Sequence, residues 1–182
     1  MNERELAPGE WSVLALLAEQ PSHGWALARQ MARDGAIGRV WALGRPLVYR
    51  ALELLEERGL IEPAGSERGV RGPNRTVFRA TAEGRRALAE WLELPVEHVR
   101  DVRSLLLLKL VLIERAGLGR EGLLRAQREL VVPAIATLER RLAESSGSEA
   151  IFVRFRLEST RAVLDFIDGL LAEQPSPAAV SR

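Results

Sequence analysis

One amphipathic stretch, Gly44 to Ile61, constrains this chain more than any other. At about 100° per residue, Leu47, Val48, Ala51, Leu52, Leu54 and Leu55 fill one side of a helix, and Arg45, Tyr49, Arg50, Glu53, Glu56 and Glu57 fill the other. Pro46 suits a first helical turn, where its missing N–H has no partner to lose, and Gly59 stands where a left-handed residue commonly ends a helix. The outer side is also divided along its length, with Arg45, Tyr49 and Arg50 ahead of Glu53, Glu56 and Glu57. That polarity predicts a helix whose N-terminal end meets base edges and phosphates while its carboxylates tilt away from the backbone. An ordinary solvated helix has the same wheel, so the neighbouring segments decide between the two.

Composition narrows the choice. With 182 residues, 47% of them hydrophobic, the chain has material for one sizeable core or two small ones. The absence of cysteine excludes disulfides, thiolate zinc sites and cysteine nucleophiles, and suits a reducing cytoplasm. The charged start Met1-Asn2-Glu3-Arg4-Glu5 is followed by no apolar run of the secretory kind, so no signal peptide is expected. Leu105 to Ile113, interrupted by Lys109, falls short of the roughly 20 apolar residues that span a bilayer and predicts a core helix. No membrane partner is expected. His23 and His98 are the only histidines, and no phosphate-binding glycine loop, metal-ligand cluster or catalytic triad accompanies them, so neither an enzyme nor a cofactor is expected. The formal net charge of +1 gives no case for nucleic acid from the whole chain. The local case is stronger, because Arg68, Arg71, Arg75, Arg79, Arg85 and Arg86 face only Glu67 and Glu83 between Gly65 and Arg86.

In chain order, Pro8-Gly9-Glu10-Trp11 opens a first helix and Pro21 closes it. Ser22 then reads as the N-cap of a second helix with Leu27 and Met31 on one face, which places His23 in its first turn as a packing or hydrogen-bonding residue. Gly35 to Gly38 is a turn, and Arg39 to Leu43 is either a short strand or an extended lead into the organising helix. Leu60 to Glu62 reads as a short strand, and Arg75 to Ala80 alternates with Thr76, Phe78 and Ala80 on one face. The glycine-rich, basic segment Pro63 to Asn74 between them reads as a hairpin tip. Three helices followed by a two-stranded hairpin make a winged helix. The candidate DNA-binding residues are Arg45, Pro46, Tyr49 and Arg50 on the helix and Arg68, Arg71, Asn74 and Arg75 on the hairpin. The competing reading is a winged helix that docks its arginine-rich hairpin on an acidic protein and reads no DNA.

Thr81 caps a fourth helix that Pro95 ends, with Trp91 on its inner stripe as packing. Beyond it Val99 to Ala116 reads as one helix, apolar nearly all round, followed by a second helix that Pro133 kinks and a third running to about Glu173. That third helix repeats Phe152, Phe155, Ser159, Ala162, Phe166 and Gly169 close to a heptad. Stripes this wide exceed what so small a module can hide, which predicts a homodimer with Leu105, Leu108, Leu112, Phe152, Phe155 and Phe166 at its interface. The expected fold is mainly α with a small β-hairpin: a winged helix-turn-helix domain over 1–95, a helical dimerisation and effector domain over 96–174, and a disordered tail over 175–182.

Pro21-Ser22-His23-Gly24-Trp25, Leu47-Val48-Tyr49-Arg50-Ala51-Leu52, Leu55-Glu56-Glu57-Arg58-Gly59-Leu60-Ile61 and Phe78-Arg79-Ala80-Thr81-Ala82-Glu83-Gly84, in this order, resemble the PadR family of bacterial transcriptional regulators. Val99-Arg100-Asp101-Val102-Arg103 with Lys109-Leu110 is similar to the start of the C-terminal domain in the family's longer members. The resemblance covers most of the chain to about residue 115 and implies a homodimeric, ligand-responsive regulator, usually a repressor, in which Tyr49 and its helix enter the major groove. Apart from the resemblance, which does not carry over an effector's identity, two copies joined through the C-terminal helices are expected to span a pseudopalindromic operator, with a small hydrophobic or aromatic effector relieving repression. Trp25 stands where the family often has another aromatic residue, and Phe78 where tyrosine is common.

Overall fold

The computed structural model of the chain describes residues 5–68 and 74–173. Of the residues singled out above, Met1 to Arg4, hairpin-tip positions 69–73 with Arg71 among them, and the 175–182 tail lie outside them. The chain divides into two compact units, Met1–Trp91 and Leu92–Arg182.

In the first unit α1 (Pro8–Glu19) begins with one half of a capping box: the Glu10 carboxylate accepts from the Ala7 N–H at 2.6 Å, while the alanine side chain offers no acceptor in return. Val13, Leu14, Leu16 and Leu17 bury it on nearly every side, and the helix packs against α3 (Arg45–Glu57) and the central strand of a small sheet. The second helix, α2 (Gly24–Gln30), packs on α3 as well. Its expected N-cap is corrected. Ser22 and His23 form a two-residue strand, β1, and His23 is the cap, its Nδ1 accepting from the Ala26 N–H at 3.1 Å. Arg39 to Leu43 is neither strand nor helix; it follows turns that bury Ile37, and the Leu43 N–H donates back to the Met31 carbonyl at 2.9 Å. α3 ends as its sequence predicts: Gly59 has φ 67°, and the Leu60 N–H donates to the Leu55 carbonyl at 2.9 Å.

The sheet has three strands in the order β1-β3-β2 where a two-stranded hairpin was expected. β2 (Ile61–Glu67) and β3 (Arg75–Ala80) pair antiparallel from Ile61 opposite Ala80 to Glu67 opposite Arg75, while Ser22 and His23 pair with Phe78 and Val77. β2 thus extends through Pro63 and Gly65, which composition assigned to the hairpin tip. It can do so because it is an edge strand with a bulge between those residues, where proline and glycine disturb little. Thr81 joins the sheet to α4 (Ala82–Glu93): its hydroxyl donates to the Gly59 carbonyl at 2.8 Å and accepts from the Gly84 N–H at 3.0 Å. Trp91 is buried and stacks on Trp11 with centroids 5.0 Å apart, so it serves as packing and offers no open ring to an effector.

In the second unit the expected continuous helix from Val99 is interrupted. α5 (Val99–Asp101) passes through a π-helical turn (Val102–Leu106) into α6 (Leu107–Arg115). α7 (Glu121–Glu144) runs on through Pro133 and packs along α8 (Gly147–Ala172). α8 carries two apolar stripes of nearly heptad spacing, offset by about one residue. Val153, Leu157, Thr160 and Ile167 are buried within the unit, with Ile167 packed beside Leu124 and Val131 of α7. Phe152, Phe155 and Phe166 form the other stripe and are exposed, Phe152 by 66% and Phe155 by 72%. Arg161 on α8 reaches Glu139 of α7 at 2.7 Å, and that hydrogen bond raises its pKa above the ordinary arginine value. Two buried polar side chains hold the segment after α4: the Gln127 amide accepts from the Val96 N–H at 2.7 Å and donates to its carbonyl at 2.9 Å, and Lys109 Nζ donates to the Leu94 carbonyl at 2.6 Å.

Candidate nucleic-acid interface

The N-terminal end of α3 projects from the first unit because Val48, Ala51, Leu52 and Leu55 anchor its other side in the core. Gly44, in an extended conformation, caps the helix, and Arg45 and Pro46 occupy the first turn. Arg45, Pro46, Tyr49 and Arg50 are all exposed. The Arg45 guanidinium lies 5.7 Å from the centroid of the Tyr49 ring, so a cation and an amphipathic aromatic share one surface. Leu47 belongs with them. Its expected place on the core side is corrected, since it is 49% exposed; on the wheel it lies about 90° from the middle of the buried arc, at the margin of the apolar face.

On the sheet side Arg68, Asn74 and Arg75 are exposed. Arg75 stands opposite Glu67 in the β2–β3 register, yet the two side chains go elsewhere. The Glu67 carboxylate lies 3.3 Å from His23 Nε2, and the Arg75 guanidinium lies 5.1 Å from the centroid of Trp25. Because His23 Nδ1 is already an acceptor, the neutral ring carries its proton on Nε2, the atom that faces the Glu67 carboxylate. Arg29, one turn along α2, also lies 5.1 Å from the Trp25 centroid.

Three consecutive residues at the head of α2 therefore meet three different elements. His23 holds β2 through Glu67, Gly24 lies beneath Tyr49 of α3, and Trp25 takes Arg75 of β3. The helix candidates and the hairpin candidate Arg75 are thus organised around one short segment, whereas among the described residues no such contact ties in Arg68 or Asn74. Residue-by-residue reading missed Arg29, Trp25 and Leu47. The faint signal was the spacing of four between Trp25 and Arg29, which puts both on one helix face.

The residues expected at a dimer surface are divided differently. Leu108 and Leu112 are buried inside the chain's own second unit, where α6 uses them as core and leaves them no exposed surface to offer a second copy. Leu105 is half-buried, and Phe152, Phe155 and Phe166 are exposed. Between the α5–π segment, α7 and α8 lies a groove of about 1290 Å³, with Leu107, Leu138, Val163 and Phe166 among its apolar lining and Arg103 and Arg156 among its charged residues. Among the described residues no group of three His, Asp or Glu side chains is arranged to hold a metal, and no helix is long and apolar enough to cross a membrane.

A model of the Transcriptional regulator PadR-like family matches residues 13–90. The probable transcriptional regulator Rv1176c of Mycobacterium tuberculosis is 30% identical over 93 residues; the match spans 51% of this chain and 48% of that protein, so the chain covers about half the length of this curated relative. Among solved structures, Bacillus subtilis PadR in complex with operator DNA is similar with a TM-score of 0.46 at 16% identity, over 90% of this chain and 97% of that one. The PadR-like transcriptional regulator BC1756 from Bacillus cereus is similar with a TM-score of 0.40 at 16% identity, over 94% of this chain and 98% of that one.

Proposed function

We propose that this chain, whose residues 13–90 match the model of the PadR-like family of transcriptional regulators, is a cytoplasmic, homodimeric repressor reading a pseudopalindromic operator. The observation that carries the DNA-binding reading is the docking of Tyr49 and Arg75 on the adjacent residues Gly24 and Trp25. It gives the recognition helix and the wing one common support. Two surfaces that must meet one duplex at once need such a fixed relation, since a loose one would lose affinity to ordering. The exposed face of α3 fits this role in its charge order, cations first and carboxylates later. Tyr49, Arg50, Arg45 and Leu47 address base edges in the major groove, with Leu47 suited to a thymine methyl group. Arg68, Arg71, Asn74 and Arg75 follow the phosphates or the adjacent minor groove.

Residues 1–95 form the DNA-binding domain in this reading, and 96–174 the dimerisation and effector domain. Two copies join through the exposed Phe152, Phe155 and Phe166 stripe, with half-buried Leu105 as a further contact, and set two recognition helices one DNA turn apart, roughly 34 Å. A small hydrophobic or aromatic effector occupies the groove beside the π-helical turn and relieves repression by favouring another helix spacing.

The test is binding of the purified protein to the duplex upstream of its own gene, titrated against random-sequence competitor at two salt concentrations. The expected result is binding that weakens steeply with salt and survives competitor at the lower salt. Loss of binding to both duplexes at low salt, with capture of acidic proteins retained, points instead to a winged helix used for protein contacts.

A further inference from the structure

Trp25 is an exposed aromatic residue holding two cations. It is 38% exposed on α2, and the guanidinium carbons of Arg29 and Arg75 each lie 5.1 Å from its ring centroid, so the two charges are within about 10 Å of each other. Neither arginine forms an ion pair among the described residues. An acid is nevertheless within reach: Glu67 faces Arg75 directly across the β2–β3 ladder, but its carboxylate is engaged by His23 at 3.3 Å. A carboxylate partner would fix Arg75 and cancel its charge together. The ring fixes it and leaves the charge in place. Two uncancelled guanidiniums held by one ring repel each other, and the arrangement becomes favourable when an anion arrives within reach of both.

We propose that Arg29, Trp25 and Arg75 form a binding site for a DNA backbone phosphate at the root of the wing, with Trp25 as the positioning residue for the two arginines. The inference rests on the DNA-binding reading and extends it to α2, which supplies none of the residues assigned to DNA above. α2 is the first helix of the helix-turn-helix, the one that crosses the backbone while the next helix enters the groove, so a phosphate is the chemical group it meets. Arginine suits the task because its planar fork offers paired donors to phosphate oxygens while its face remains stacked on the ring.

The experiment measures affinity of the full chain for the operator-bearing duplex and for a random duplex across a salt series, for the wild type, Arg29→Ala, Trp25→Ala and Trp25→Phe. For Arg29→Ala the expected outcome is an equal loss on both duplexes, about threefold to tenfold, with the slope of log affinity against log salt reduced by about 0.9. Trp25→Ala is expected to reduce affinity and slope likewise without lowering the melting temperature, and Trp25→Phe to restore both because any aromatic face suffices. An unchanged slope in Arg29→Ala, or a Trp25→Ala loss that follows melting temperature and is not rescued by phenylalanine, overturns the site. A wild type that binds neither duplex overturns the DNA-binding reading as well, which separates the two failures.

Discussion

The Tyr49 ring lies so close over Gly24 that a β-carbon at position 24 would stand 2.8 Å from its Cε1 and 2.9 Å from its Cζ. Tyr49 is 40% exposed, and its ring is the far end of a side chain that can turn outward. The clash is therefore cheap for the fold and costly for the ring's position. Leu52 Cδ1, at 3.2 Å, is the only other near neighbour among the three closest atoms. For Gly24→Ala the expected change in stability is under about 1 kcal/mol, since alanine favours the helix it would join. The ratio of operator to random-duplex affinity is expected to fall toward that of Tyr49→Ala. Paired urea unfolding and competition binding check this; a large stability loss with unchanged selectivity would contradict it.

A second division follows from where each residue is anchored. Tyr49 and Arg50 project from a helix buried along its other side, whereas Arg75 sits on a strand and is oriented by Trp25. Tyr49→Ala and Arg50→Ala are expected to weaken operator binding by about 1–3 kcal/mol and to relax sequence preference. Arg75→Ala is expected to weaken all duplexes alike and to reduce the salt slope by about 0.9. Binding measured on operator, mutated operator and random duplex separates these patterns, and equal effects of all three variants on every duplex would refute the division.

Polar burial in the second unit gives a third prediction. The Gln127 amide satisfies both the N–H and the carbonyl of Val96 in a buried setting, so Gln127→Leu would leave two backbone groups with neither partner nor water. The expected cost is at least about 2 kcal/mol in urea unfolding. Gln127→Glu is expected to cost at least as much, because its carboxylate accepts from the N–H but sets an oxygen against the carbonyl and buries a charge.

How much of this was legible in the sequence depended on how local each signal is. The wheel of α3 identified Val48, Ala51, Leu52 and Leu55 as core and put Tyr49 and Arg50 outside, because burial of a helix follows its own period. Leu47 escaped because its margin position is decided by where the sheet and the other helices end. Three-stranded pairing was hidden for the same reason: Ser22 and His23 make too short a strand to show alternation, and only β3, far along the chain, makes them one. The roles of His23, Gly24 and Trp25 are likewise relations with Glu67, Tyr49 and Arg75, which no spacing within the motif encodes. On α8 the heptad pattern was read from the phenylalanines, but a second stripe offset by about one residue was equally present, and packing on α7 selects it for the interior.

That choice of stripe makes the last prediction discriminating. Val153, Leu157 and Ile167 face the interior of the unit, while Phe152 and Phe155 are exposed, so charge on the two stripes should act at different levels. Leu157→Asp puts a carboxylate at a buried position, and is expected to unfold the second unit, seen as lost helicity and lost cooperative melting. Phe152→Asp with Phe155→Asp adds charge to surface that is already exposed in the single chain. Helicity is expected to be retained, while sedimentation shifts from dimer to monomer and operator affinity falls as the two recognition helices become independent. A double variant that remains dimeric with full operator affinity would move the dimer surface off this stripe, leaving Leu105 and the groove beside the π-helical turn as the next surfaces to substitute.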